Sequence, residues 1–462
     1  MRTVIEKGYV IPVTTDEVIP DGVVAFDNDR LVYVGPRSGF EAAKFAADRI
    51  IDASGKAVLP GLVNTHIHLA GAYIKALSED VPGKSKGNGE GFFKRAIPTV
   101  AHMKPDDYYW GGMTHGMEAV MTGSTTINNS WYDEAQTGVI VRDLGVRAVL
   151  SEFVQEVNFL AMHATQMDRP FDREMGARHL ERAEKLYDNW HRKENGRITV
   201  RLAPSSVAYT SPETIEQCGE LARRLGIGMN IHIAEVPGET EFVMKQYGVR
   251  PIALANKLGI LGSDCIAFHH VFLDDSDIQT LSDTKTYLSH SSFHVPKRGY
   301  FPPMEKIYAK GIEVSLGSDW TNNDMWKFMR AAIMIPRARS GDVSMLSGYD
   351  ALRMATLVGA RALGMEHDIG TLEPGKKADI VLLDVSTPWC QPIYTPNLIT
   401  NIVWNANGSD VSDVFVDGEQ IVKDKEFIKA DRREIQKETQ RRAERIWADA
   451  EKMVPGSMSW PT

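Results

Sequence analysis

Apolar positions along the chain follow two patterns. From Val58 onward, short runs of strand-forming residues recur between amphipathic segments: VLPGLVNTHIH, STTINNS from Ser124, VRAVLSEFV from Val146, ITVRLAPS from Ile198, GMNIHIAE from Gly228, CIAFHH from Cys265, TYLSHS from Thr286 and IEVSLGSD from Ile312. The segments between them carry helical spacing. Pro212 to Leu225 and Pro303 to Lys310, for instance, each open on proline and close with a glycine just beyond. Strand and helix in alternation point to parallel βα units, and eight such runs predict an α/β fold built on a (β/α)8 TIM barrel, a fold usual at about 250 residues.

Both ends of the chain read differently. GYVIPV, GVVAFDNDRLVYVG and DRIIDASGKAV near the start, and GTLEPGKKADIVLLD and VSDVFVDGEQIVKD near the end, are short strands joined by polar turns such as DNDR and VDGE. They predict one composite β-sandwich domain from residues 1–56 and 370–430, with the barrel over 57–369. Charged residues from Arg432 to Lys452, with apolar ones at helical spacing, predict a closing surface helix and tail over 431–462 whose charges face solvent.

Strand alternation then sorts the polar residues by face. His66 and His68 project to one side of their strand while Ile67 points to the other. A lone H-x-H pair fits a satisfied core as well as a metal site, so its meaning depends on what converges on it. His232 shares a face with Gly228 and Asn230, opposite Met229, Ile231 and Ile233, and so turns inward. Of the adjacent His269 and His270, the first lies with Cys265 and Ala267 on the small-residue face and is assigned to the interior. Asp319 ends its run on the face of Glu313, Ser315 and Gly317, again opposite the large apolar residues.

Functional groups of such barrels sit where strands end. Three histidines and a carboxylate converging there form a nitrogen and oxygen ligand set suited to zinc, with iron, cobalt or manganese as alternatives. ITVRLAPS has no lysine that could bridge two metals as a carbamate, so a single divalent ion is expected. Glu235 follows His232 by three residues, which puts it on the wrong face of a regular strand. The strand is therefore expected to end or bulge there, bringing the carboxylate beside the water it would deprotonate.

Composition narrows the partners. The 462 residues include 52 Lys and Arg against 61 Asp and Glu, a net charge of -9 without a long basic block, which argues against a nucleic-acid partner. No run approaches the roughly 18 apolar residues of a membrane span, and the N-terminal stretch lacks the apolar core of a signal peptide. Three scattered cysteines, Cys218, Cys265 and Cys390, fit a reducing cytoplasm. A small-molecule substrate and a homo-oligomeric enzyme are expected.

The ordered series ASGKAVLPGLVNTHIH, HIAE, FHHVFLDDSDI, LSHSS, SLGSDWTNND and GARALGMEHDIGTLEPGKKADIVLLD resembles the amidohydrolase superfamily over essentially the whole chain. The match is to the branch of S-adenosylhomocysteine deaminase, atrazine chlorohydrolase and related aminohydrolases. The resemblance implies that His66, His68, His232 and Asp319 are metal ligands and that Glu235 is the acid/base. It further implies that His269 contacts water or substrate and that His290 is another active-site histidine. A metal-bound hydroxide would attack a non-peptide carbon–nitrogen bond, with deamination of an N-heterocycle as the leading expectation. Phenylurea or carbamate cleavage, triazine dechlorination and a non-catalytic assembly subunit are the alternatives.

One segment departs from the branch. Where nucleoside deaminases carry a segment like NPxSNLKLG after the seventh-strand histidine, this chain reads HSSFHVPKRGYF. The change introduces His294 as a candidate pocket residue, with Lys297 and Arg298 expected in a solvated loop. Tyr73, Trp131, His294 and Trp320, on loops after the strands, are candidate substrate contacts together with His290.

Overall fold

The computed structural model describes residues 1–79, 91–132, 134–158 and 170–459. Its strands are β1 (Arg2–Val10), β2 (Ile19–Asp27), β3 (Arg30–Pro36), β4 (Arg49–Asp52), β5 (Lys56–Pro60), β6 (Leu62–Ile67), β7 (Ser124–Trp131), β8 (Arg147–Val154) and β9 (Ile198–Val200). They continue with β10 (Ala203–Pro204), β11 (Met229–Ile233), β12 (Cys265–His269), β13 (Tyr287–His290), β14 (Val314–Leu316), β15 (Ile380–Asp384), β16 (Val411–Val416), β17 (Glu419–Lys423) and β18 (Glu426–Phe427).

Every apolar run from Val58 on contains a strand, and those of the middle of the chain pair in parallel. β6, β7, β8 and β10 follow one another in one sheet, with β9 also on β8, and β11 to β14 form a second sheet in sequential order. The two sheets meet at both seams. Asn230 N donates to Leu202 O at 2.8 Å across one, and Asp319 N donates to His66 O at 2.8 Å across the other. Between strands lie helices such as Arg173–Trp190, Pro212–Leu225 and Asp275–Thr284. Pro212–Leu225 starts on the Ser211 side chain, which accepts from Thr214 N, and stops at Gly226 in the left-handed conformation. The opening proline and closing glycine are those its sequence predicted, and the Ser211 cap adds to them. Several buried polar side chains of these strands bond one another: Thr65 Oγ1 lies 2.8 Å from both Ser289 Oγ and Ser315 Oγ, and Asn230 Nδ2 donates at 3.0 Å to Asn128 Oδ1 and Ser151 Oγ.

Strands from the two chain ends share one nine-stranded sheet, in which β15 pairs antiparallel with β5 and β5 pairs with β1. Its apolar core joins Ile5, Val24 and Phe26 from the start of the chain to Ile380, Leu382 and Phe415 from its end. The single run VLPGLVNTHIH therefore divides. Lys56–Pro60 belongs to this sheet, and Leu62–Ile67 to the parallel strands. The break falls at Gly61, where a Cβ would collide with the Thr125 side chain.

The closing helix spans Arg432–Met453 and buries Ile435, Ala443, Ile446 and Ala450. Full burial of a side chain such as Ile446 contributes about 1.5–3 kcal/mol. The charges of this helix are not all solvated. Arg442 Nη1 lies 3.2 Å from Asp107 Oδ1, and Arg445 pairs with the other oxygen of that fully buried carboxylate. Helical periodicity could not show this, because Asp107 comes from a distant helix, Pro105–Met121. Among the described residues, no helix is long and apolar enough to cross a membrane.

Candidate metal centre and active site

The site forms where β6, β11 and β12 and the segment after β14 end. Several of these ends are turned by residues other than glycine in the left-handed region: Ala234 at φ 54°, His269 at φ 73°, His270 at φ 42° and Asp319 at φ 62°. Such conformations cost about 1–3 kcal/mol each and persist where the surroundings impose them. At Ala234 the turn has a direct effect. It takes the chain off the strand immediately before Glu235, as the position of that residue required.

Side chains from all four ends converge. Asp319 Oδ1 lies 3.3 Å from His68 Nε2 and 3.9 Å from His66 Nε2, while its Oδ2 lies 3.7 Å from His269 Nε2. The His66 and His232 rings are 4.8 Å apart, and those of His68 and His232 are 5.6 Å apart and stacked. Gly317 makes room for this approach, since a Cβ there would stand 2.5 Å from that of His66.

The donor set fits a divalent metal. His66 is completely buried, and neither ring nitrogen has a hydrogen-bond partner. Burial, reinforced by His68, holds its pKa well below the ordinary value, so the ring is a neutral base. Burial and the neighbouring His269 likewise bring His232 down to about 3. His68 is oriented from behind by a 2.6 Å contact between Nδ1 and Ser130 O, which leaves Nε2 free to ligate. Two groupings place their ligand atoms within 4.8 Å of one another: His66, His232 and His269, and His66, His68 and Asp319. Buried nitrogens left without partners are costly unless something binds them, and neutral imidazoles with one carboxylate suit zinc.

Glu235 stands beside this cluster. Burial alone would raise its carboxyl, but His269, Arg298 and His232 outweigh it and bring the pKa down to about 2. Arg298 Nη1 donates to Glu235 Oε1 at 2.6 Å, and the Glu235 backbone N donates to Glu239 Oε2 at 2.9 Å. The expected solvated loop is therefore incorrect for Arg298, whose side chain is only 16% exposed. Lys297 also has a partner, Glu79, at 2.6 Å. Loop charge gave no clue to either pairing, because both partners lie far away in sequence.

The remaining candidates divide. His294 is buried, with Nε2 3.4 Å from Asp319 Oδ2. Trp131, whose ring is 4.9 Å from that of His68, and Trp320 line a cavity of about 310 Å³ that opens onto His68, His232, His269, Glu235 and Asp319. Tyr73, His290 and His294 are not among its described lining residues. Tyr73 is turned into the packing against the closing helix, its hydroxyl donating to Asp107 O at 3.0 Å and its carbonyl accepting from Trp447 Nε1. His290 sits against His270, rings 5.4 Å apart, as its shared face with Leu288 allowed. His115 was missed by strand reasoning because it lies on a helix. Its ring nitrogens contact His68 O at 3.0 Å and Thr321 O at 2.7 Å, bridging the two segments that carry metal-site residues.

This centre is that of a metal-dependent hydrolase acting on carbon–nitrogen bonds. Residues 57–421 match the Amidohydrolase family, and the chain belongs to it. It is 34% identical over 441 residues to the 5-methylthioadenosine/S-adenosylhomocysteine deaminase of Moorella thermoacetica, covering 94% of this chain and 97% of that protein. Identity to the enzyme of the same name from Symbiobacterium thermophilum is 32%, over 92% of this chain and 94% of that one. Among solved structures, a zinc-bound adenosine deaminase from Xanthomonas campestris superposes with a TM-score of 0.83 at 25% identity, covering 96% of this chain and 98% of that one. The zinc complex of atrazine chlorohydrolase from Arthrobacter aurescens TC1 shares the fold, with a TM-score of 0.80 at 21% identity over 96% of this chain and 100% of that one.

Proposed function

We propose that the protein removes an exocyclic amino group from an N-heterocycle by hydrolysis, releasing ammonia. The observation that carries this reading is the position of Glu235, an ionised carboxylate only 16% exposed, beside four converging imidazoles and Asp319. The names of the relatives at 34% and 32% identity support it.

Two architectural readings go with the function. The bonds across both seams support one closed (β/α)8 barrel over residues 57–369. The shared core of Phe26, Ile380 and Phe415 supports a β-sandwich domain made by residues 1–56 and 370–430, with 431–462 as closing helix and tail.

His66, His68, His232 and Asp319 would hold one zinc ion. When bound, such an ion supplies a Lewis acid that lowers the pKa of a coordinated water from 15.7 to about 7. Glu235 accepts the proton from the attacking water and returns it to the departing nitrogen, so that a C–O bond replaces the C–N bond. As the carbon turns tetrahedral, the electron pair of the ring C–N double bond moves to the ring nitrogen, His269 holds the attacking oxygen by a hydrogen bond, and Asp319 keeps the His269 and His294 rings in place. Trp131 and Trp320 flank the bound ring.

The test is product analysis. Zinc-loaded protein should release ammonia from aminated heterocycles, and a Glu235→Gln variant should not. Release of chloride from chlorotriazines, or of an aniline from phenylureas, in place of ammonia would sink the proposal.

A further inference from the structure

The cavity in front of the metal centre has two kinds of wall. Phe92, Ile97, Val100, Trp131, Phe153 and Trp320 give it extensive apolar and aromatic surface, with Phe92 and Trp320 stacked at 5.3 Å. The polar side is largely occupied with itself. Gln155 Oε1 accepts from Tyr132 at 2.5 Å and from Ser205 Oγ at 3.0 Å, Gln155 Nε2 donates to Val157 O, and His179 Nδ1 lies 3.0 Å from Gln155 O. Among the described lining residues, the only acidic side chains are Glu235 and Asp319, both at the metal centre, and there is no lysine or arginine.

Resting on the deaminase reading, we propose that the substrate is an uncharged aminated heteroaromatic ring with apolar substituents, in place of a riboside or an amino-acid conjugate. A sugar diol facing Ile97, Val100 and Phe153 would give up its water against side chains that offer no hydrogen bond, and a carboxylate would meet no lysine or arginine among the described lining residues. An alkyl group at the same place is removed from water at no such cost. The wall therefore selects by rejecting polar substituents, and a pocket made this way discriminates most sharply between an ethyl group and its hydroxyethyl counterpart.

Two matched pairs test this with zinc-loaded protein: 9-ethyladenine against 9-(2-hydroxyethyl)adenine, and aminotriazines bearing ethylamino or hydroxyethylamino groups. In the pair that reacts, kcat/KM should favour the ethyl member by about tenfold or more. Calorimetric binding to zinc-loaded Glu235→Gln protein should show the same preference, and Ile97→Ser should narrow it. Ammonia release that is equal within a pair, or better from the hydroxyethyl member, overturns the substrate class and leaves the deaminase reading standing. Ammonia from neither pair but from adenosine overturns the substrate class and leaves the deaminase reading standing; ammonia from none of these compounds overturns the deaminase reading, and calorimetry then decides the cavity inference alone. Tighter binding of the ethyl members sustains it, and an absent or reversed preference overturns it.

Discussion

Arg298 Nη1 donates to Glu235 Oε1 at 2.6 Å, so a loop after β13 governs the carboxylate that ends β11. Arg298 is one of the groups that keep the Glu235 carboxyl down at about 2. The ionised form accepts protons and is lost as pH falls through that pKa. Replacing Arg298 with Gln raises the pKa, so the acidic limb of kcat/KM against pH should move to higher pH. Activity at neutral pH should fall by about tenfold, less than the roughly 10²–10⁴-fold that removing the acid/base itself would cost. Arg298→Lys should recover part of both effects, and an unmoved limb in the Gln variant would show that Glu235 does not depend on this contact.

Metal retention and turnover should separate by residue. His66→Ala and His232→Ala remove nitrogens from the centre of the cluster and should lose bound zinc and activity together. Glu235→Gln should keep zinc, measured by elemental analysis after dialysis, and lose about 10²–10⁴-fold in kcat. An active, metal-free His232 variant would contradict the whole scheme.

Glu239 links pH to stability. Burial, with the nearby Glu235 charge adding to it, pushes its carboxyl up to about 7 from an ordinary 4.5, while Ser206 Oγ donates to Oε1 at 3.1 Å. Because the folded pKa is raised, the stability from this group is fully present below about pH 4.5, declines as pH rises, and is lost above about 7. The shift corresponds to about 3 kcal/mol. Glu239→Gln should therefore be more stable than the parent at pH 8 by about 1–3 kcal/mol and gain little at pH 5, read from urea midpoints at the two pH values.

Arg147 joins the two sheet systems through charge. On β8 it makes two 3.0 Å hydrogen bonds to Asp379, just before β15, and also pairs with Asp417 between β16 and β17. Arg147 and Asp379 side chains are 5% and 2% exposed. Arg147→Met would strand the Asp379 carboxylate, while Asp417 keeps Lys377 at 3.5 Å, and should destabilise the fold by about 3–5 kcal/mol. Adding Asp379→Asn and Asp417→Asn should recover much of that loss in chemical denaturation.

The site was legible where period-two alternation governs. His66 with His68, inward His232, and His269 chosen over His270 all follow from which neighbours are small or apolar. Glu235 broke the alternation, and Ala234 at φ 54° is the physical reason. Contacts set by loops and by tertiary approach were not legible. Arg298 reads as an exposed loop cation until the fold brings it to Glu235, and Tyr73 reads as a pocket aromatic until the closing helix covers it. The terminal strands were legible as strands, but the partition of one continuous run at Gly61 depends on Thr125, far along the chain.

That partition has a consequence for biosynthesis. β6, with its histidines, follows directly from β5, yet the partner of β5 in the nine-stranded sheet, β15, is among the last strands to leave the ribosome. Asp319, too, emerges long after His66. A nascent chain thus exposes its first two metal-site histidines early but cannot fix their position until translation is nearly over. The candidate site can therefore be assembled only once most of the polypeptide has been made.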